Sequence, residues 1–180
     1  MSFALIGYRG SGKSTVARLL ADRWGWRAVD ADDEIERRAG QSIAEIFASS
    51  GEGSFRDLEC AVLRDLVPRP SIVLAAGGGA VLREENRGLL KQCEYVVWLT
   101  ASAATLYDRI GADATTAARR PPLSDRGGLA EVETLLAERE PLYREVADAV
   151  VDTEGRRSQD VAELIAARWQ PAPSARPSER

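Results

Sequence analysis

An α/β fold, with a five-stranded parallel sheet covered by helices on both faces, is the architecture that this 180-residue sequence predicts. Three observations carry that prediction. Short apolar runs alternate with longer amphipathic stretches along the chain, the pattern of repeated strand–helix units. Two of the runs, Ile72-Val73-Leu74-Ala75 and Tyr95-Val96-Val97-Trp98-Leu99, are apolar without alternation, as strands buried on both faces should be. The third is a glycine-rich segment, Gly7-Tyr8-Arg9-Gly10-Ser11-Gly12-Lys13-Ser14-Thr15, between an apolar run and an amphipathic one. Strand, glycine loop and helix in that order form the context in which such a segment binds phosphate.

Taken in order, the strands are expected at 3–6, 27–29, 71–75, 95–99 and 149–151. Helices are expected at 13–24, 32–39, 42–49, 55–66, 83–91, 103–110, 129–146 and 158–169. Residues 1–170 read as one domain, the size at which a chain supports a single substantial core. Residues 111–127, rich in Ala, Thr, Arg, Pro and Gly, stand between two helices at a length that suggests a mobile lid. The Pro/Ser/Arg-rich tail at 171–180 is expected to be disordered.

Composition narrows the chemistry. Hydrophobic residues are 44% and charged residues 29% of the chain, an ordinary globular balance. The net charge of −4, with no basic block, argues against nucleic acid as a partner. Histidine is absent, which removes Ser-His and Cys-His nucleophilic triads and every histidine-containing metal site. Cys60 and Cys93 have no metal-like spacing and read as buried thiols in a reducing compartment. No apolar run approaches membrane-spanning length and no leader precedes the first strand, so a cytoplasmic protein without a membrane partner is expected.

In the glycine loop, backbone N–H groups can converge on phosphate oxygens, and the helix that follows adds the positive end of its dipole. Lys13, one of only two lysines in the chain, is expected to reach the β- and γ-phosphates, and the Ser14 hydroxyl to ligate Mg²⁺. A nucleoside triphosphate is the ligand this loop implies.

Further clusters must decide the acceptor. Asp30-Ala31-Asp32 closes the second strand, and strand alternation would send both carboxylates in related directions at the ligand edge of the sheet. One could support Mg²⁺ through water while the other meets a hydroxyl; helix N-capping is the plain alternative, and both stand at this point. Gly51-Glu52-Gly53-Ser54-Phe55-Arg56 leads into a helix that carries Glu59. Gly77-Gly78-Gly79 follows the third strand, and its bare N–H groups suit a carboxylate or hydroxyl, although a triple glycine alone is usually a tight turn. Arg119-Arg120-Pro121-Pro122-Leu123 presents arginine on a proline-stiffened loop. Glu138-Arg139-Glu140-Pro141-Leu142-Tyr143 places Arg139 two residues before a proline that a helix would normally avoid, a cost that suggests a local purpose.

As a set, in this order and at these spacings from about residue 3 to about residue 168, the clusters resemble the shikimate kinases, small phosphotransferases of the aromatic amino-acid pathway. The resemblance implies a three-layer P-loop fold of the nucleoside-monophosphate-kinase type with a mobile lid. It implies ATP as co-substrate, Mg²⁺ as cofactor, and transfer of the γ-phosphoryl group to the 3-hydroxyl of shikimate. Asp32 would then hold the accepting hydroxyl and be the candidate base, with Lys13 and Arg120 completing the catalytic set. Arg56 and Arg139 would clamp the carboxylate, helped by Gly77, Gly78 and Gly79. Gly10, Ser11, Gly12, Lys13, Ser14 and Thr15 would cradle ATP, Asp30 would stand in the outer shell of Mg²⁺, and Arg109 and Arg156 would flank the adenine, with Arg157 close behind. Adjacency to Pro121 favours Arg120 over Arg119 at the phosphates.

Two planar guanidiniums suit a carboxylate, because each fork can meet both oxygens and a lysine cannot. A gluconate kinase-like enzyme would share loop and lid but lack this paired arginine and triple-glycine set. A GTPase would need an Asn-Lys-x-Asp segment, and no Asn-Lys pair occurs. A kinase-like protein without catalysis should have lost Lys13, Asp32 or Arg120, and all three are present. Enzymes of this size and resemblance are often monomers, and a monomer acting on small molecules is the expectation.

Overall fold

The computed structural model describes residues 2–112 and 128–171. Within them, five strands alternate with helices: β1 (Ser2–Ile6), β2 (Arg27–Asp30), β3 (Ile72–Ala75), β4 (Tyr95–Thr100) and β5 (Ala149–Asp152). The helices are α1 (Lys13–Trp24), α2 (Ala31–Ala39), α3 (Ile43–Leu66), α4 (Glu84–Leu90), α5 (Ala103–Ala112), α6 (Leu129–Val146) and α7 (Ser158–Arg168), with a 3₁₀ turn at Ala80–Leu82. All strand pairs are parallel and the order across the sheet is β2-β3-β1-β4-β5.

Successive strand residues point to opposite faces, and the central strands are apolar on both. Phe3, Leu5, Val73, Ala75, Val97 and Leu99 join the core formed with α1 and α7. Their neighbours Ala4, Ile6, Ile72, Leu74, Val96 and Trp98 join the larger core under α2, α3 and α6. Each Val, Leu, Ile or Phe side chain among them taken fully out of water contributes about 1.5–3 kcal/mol, so unbroken apolar runs here sustain two cores at once. At the N-terminal edge of the sheet Phe3, Trp24, Trp26, Tyr95 and Trp169 form one aromatic cluster, with ring centroids 4.8–6.0 Å apart. That edge is closed by packing, and the opposite, C-terminal edge carries the loops that bear chemistry.

The helices expected at 42–49 and 55–66 are present as two helical segments that meet across a kink at Gly51, whose φ of 77° and ψ of 174° are not helical; the second starts directly after the kink, and the label α3 covers both. Two expectations are corrected. Asp32 is not a strand residue. β2 ends at Asp30, and the chain turns into α2 at once, so Asp32 lies in the first turn of a helix and strand alternation does not relate it to Asp30. Residues 111 and 112, assigned to the lid, complete α5. Pro141 lies inside α6, and the rest of the 111–127 stretch and residues 172–180 of the tail lie outside the described residues. No helix among the described residues is long and apolar enough to cross a membrane.

Candidate active site

The glycine loop leaves the end of β1 and becomes α1 at Lys13. Gly7 has φ 139°, and a Cβ there would stand 2.3 Å from the Leu99 carbonyl oxygen, so only glycine lets the loop pass so close to β4. Gly12, at φ 89°, caps α1 without a side chain, which leaves the first N–H groups of the helix facing outward from the loop. Lys13 is buried, and its Nζ donates to the carbonyls of Gly7 and Tyr8 at 2.9 Å each. Ser11 is buried, while Ser14 is half-buried and Thr15 exposed on the first turn of α1.

Asp30 does two things that the sequence left as alternatives. Its Oδ1 caps α2 by accepting from the Asp32 N–H at 2.9 Å, and its Oδ2 accepts a short hydrogen bond from the Ser14 hydroxyl. Two oxygen donors from different elements therefore meet beside the loop, a set suited to a hard cation. No cluster of three or more carboxylate, histidine or cysteine groups able to hold a metal occurs among the described residues. The Ser14 hydroxyl and the Asp30 carboxylate are the kind of pair that Mg²⁺ uses, since it takes one or two protein oxygens and keeps water and substrate phosphates as its remaining ligands.

A second cluster is built on the triple glycine. Asp30 is in register with Ala75, and the Ala76 N–H donates to Leu5 at 3.0 Å, so the Gly77–Gly79 turn starts between the ends of β2 and β1. Buried Arg56 comes to it from α3. Its Nη1 donates to Glu59 at 2.9 Å and its Nη2 to Glu52 at 3.0 Å, and the guanidinium lies flat against Gly79, where a Cβ would be 2.6 Å from both terminal nitrogens. Burial is the largest single influence and works against the Arg56 charge; the Glu59 and Glu52 carboxylates together outweigh it and raise the pKa above the ordinary arginine value. Buried Arg139 comes from α6, donates to the Gly78 carbonyl at 3.3 Å, and places its guanidinium carbon 5.3 Å from the Tyr8 ring centre. Two guanidiniums that are 83 residues apart in sequence thus reach one three-residue turn.

The N–H groups of Gly78 and Gly79 have no acceptor among the described residues, while the Ala80 and Leu82 N–H groups close the 3₁₀ turn onto Gly77 and Gly79. Backbone donors beside the guanidiniums of Arg56, itself paired with Glu59 and Glu52, and Arg139 form a set that can hold a carboxylate.

On the other side of the loop, a cavity of about 220 Å³ opens between Gly10–Gly12, Arg109 and the start of α7, with Arg156 and Arg157 on its rim. The Arg109 guanidinium is held by the Thr153 hydroxyl at 2.9 Å and the Thr153 carbonyl at 2.8 Å. Arg156 and Arg157 are exposed, and Arg157 pairs with Asp160 at 2.9 Å. Arg119 and Arg120 lie outside the described residues.

Four contributors were not assigned roles from sequence. Glu59 stands three residues from Arg56 and Tyr143 four from Arg139, so helical spacing held a signal for each. Tyr8, whose ring underlies Arg139, and Thr153, which orients Arg109, are brought in only by the fold.

A parallel sheet of this order, with its phosphate loop after the central strand and a glycine turn flanked by two guanidiniums after the neighbouring one, is the arrangement of a P-loop kinase of small molecules. Comparison with known proteins narrows the class. The family model for shikimate kinase matches residues 9–169. A shikimate kinase of Rhodopirellula baltica is 48% identical over 157 residues, which cover 87% of this chain and 84% of that protein. The structure of a shikimate kinase from Acinetobacter baumannii in complex with shikimate superposes with a TM-score of 0.87 at 38% identity, covering 93% of this chain and 91% of that one. A gluconokinase from Sinorhizobium meliloti reaches a TM-score of 0.53 at 16% identity, covering 92% of this chain and 89% of that one, a likeness of fold alone. The chain belongs to the shikimate kinase family.

Proposed function

We propose that this protein transfers the γ-phosphoryl group of ATP to the 3-hydroxyl of shikimate, giving shikimate 3-phosphate and ADP. The observation that carries the reading is the approach of two buried guanidiniums, Arg56 and Arg139, to the Gly77–Gly79 turn beside a complete phosphate loop, in a chain of this family.

In this reading the acceptor's carboxylate is held between Arg56, Arg139 and the free N–H groups of Gly78 and Gly79. A carboxylate fixed at one end of a rigid six-membered ring leaves the ring hydroxyls with few orientations, and alignment is most of what phosphoryl transfer requires. Asp32, at the start of α2, holds the attacking hydroxyl and takes its proton as the oxygen–phosphorus bond forms and the β–γ bridging oxygen departs with ADP. Lys13 neutralises charge on the β- and γ-phosphates, with the N–H groups from Gly10 to Thr15 around them, and Arg120 is assigned to the transferring group. Mg²⁺, held by Ser14 directly and by Asp30 through water, would add charge neutralisation when bound. The cavity beside Arg109 takes the adenine, with Arg156 at its rim. A cytoplasmic monomer that engages neither nucleic acid nor membrane completes the proposal.

The test is ADP release from ATP and Mg²⁺ by purified protein with shikimate, gluconate, a nucleoside monophosphate or no acceptor. Release that depends on shikimate is expected. Release with gluconate in its place would overturn the carboxylate clamp as assigned while keeping the loop, and no ADP release under any of these conditions would overturn the enzyme reading.

A further inference from the structure

The triple glycine at the acceptor site poses a mechanical problem. Three consecutive residues without Cβ atoms have no side chain to anchor them, and glycine's backbone is less restricted than that of any other residue type. A carboxylate site needs those N–H groups aimed in one direction before the ligand arrives. The three carbonyls show how the turn is held. Those of Gly77 and Gly79 accept from Ala80 and Leu82 within the 3₁₀ turn at 3.0 Å each. That of Gly78 faces α6 and accepts from the Tyr143 hydroxyl at 2.5 Å. Arg139 reaches the same oxygen at 3.3 Å, the long end of the hydrogen-bond range, so the tyrosine is the shorter tether.

Tyr143 is itself immobile. It is fully buried, its ring stacks on Trp98 of β4 at 5.6 Å between centres, and it belongs to the larger of the two sheet cores. The position of its hydroxyl is therefore set by the sheet rather than by the loop it holds. A peptide unit is planar and trans, so drawing the Gly78 oxygen toward α6 aims the Gly79 N–H the opposite way, off that helix. The N–H aimed in this manner has no acceptor among the described residues.

Resting on the clamp reading given above, we infer that Tyr143 is a positioning residue for the acceptor: it fixes the Gly78–Gly79 peptide and so presets the backbone donors and the seat of Arg139 that meet the substrate carboxylate. Tyrosine hydroxyls buried in cores usually take some partner, and a purely structural role would show itself as lost stability alone. Tyr143→Phe removes one oxygen and leaves the ring stack in place, which separates the two roles.

The experiment measures KM for shikimate, KM for ATP, kcat and Tm for Tyr143→Phe beside Arg139→Ala. A net hydrogen bond lost from a preset site should raise the shikimate KM about fivefold, with the ATP KM within twofold and Tm within a few degrees. An unchanged shikimate KM in Tyr143→Phe beside a damaged Arg139→Ala overturns the inference and leaves the clamp standing. Unchanged values in both variants overturn the inference and the clamp together. A parallel rise in both KM values with a large fall in Tm makes Tyr143 a core residue only and overturns the inference as well.

Discussion

Gly79→Ala tests the acceptor site at its tightest contact. At Gly79 the backbone lies at φ −105° and ψ 5°, which a residue with a Cβ can adopt, so alanine adds no left-handed strain. What it adds is one methyl group 2.6 Å from both terminal nitrogens of Arg56 and 2.9 Å from its guanidinium carbon. Ordinary contact begins at 3.4 Å, so the guanidinium must retreat by about 0.8 Å. It can do so, being the end of a flexible side chain, but only by stretching its bonds to Glu59 and Glu52, now 2.9 and 3.0 Å. A charge-assisted hydrogen bond to the substrate carboxylate, worth about 1.5–3 kcal/mol, is then misaligned, which corresponds to a rise in shikimate KM of about 10- to 150-fold. Overpacking costs the fold about 1–3 kcal/mol, a fall in Tm of several degrees that leaves the protein assembled. The assay is coupled ADP release with each substrate varied in turn, beside Gly53→Ala, a position where a Cβ meets nothing within 4 Å. A Gly79→Ala enzyme whose shikimate KM stays within twofold of the parent would refute the placement of Arg56 in the clamp.

The other predictions concern separate parts of the molecule. Asp32→Asn keeps the shape of the α2 N-terminus and removes the candidate base, so kcat should fall by about 10²–10⁴ with the ATP KM little changed; turnover near the parent value would remove the proton-accepting role. Arg109→Ala frees Thr153 and opens one wall of the cavity beside Gly10, so the ATP KM should rise about tenfold while the shikimate KM holds, and the reverse pattern would misplace the adenine. Burial pushes the Cys93 thiol from its ordinary value of 9.0 up to about 11, with the Ser2 hydroxyl opposing the shift. The neutral thiol is what the fold accepts, so its contribution is intact below pH 9 and is lost as pH rises toward 11, by about 2 kcal/mol. Urea unfolding from pH 8 to 11 should show that decline in the parent and less of it in Cys93→Ala; identical curves would contradict it.

How much of this was legible in the sequence differs from element to element. The runs in β3 and β4 announce buried strands because a strand covered on both faces has no position where water would favour a polar side chain. The 7–15 loop is equally plain, since its chemistry is made by adjacent backbone groups and needs no distant partner. The two segments of α3 were legible as separate helices, and only the place of the break was not: it falls at Gly51 alone, while Gly53 belongs to the second segment, whose Phe55 packs in the same core as Ile43 and Ile46 of the first. Asp32 read as the first residue of a helix, yet strand alternation was also used to relate its carboxylate to that of Asp30; the Asp30 side chain, by capping α2, ends the extended chain before Asp32 and removes that relation.

By itself, then, the sequence determined what is local: the apolar runs that become the sheet, the phosphate loop, and the order of motifs that marks the family. Only the tertiary structure decided which groups meet. That Ser14 reaches Asp30, that Arg56 lies on Gly79 rather than in solvent, and that Tyr143 bonds to a carbonyl 65 residues away are consequences of parallel strand order. A parallel sheet delivers the C-terminal ends of β2, β3 and β1 to one edge, and with them loops that no spacing along the chain relates. Each of those contacts depends on side chains displacing water in a shared core, a condition that a linear pattern leaves open and three-dimensional packing fulfils.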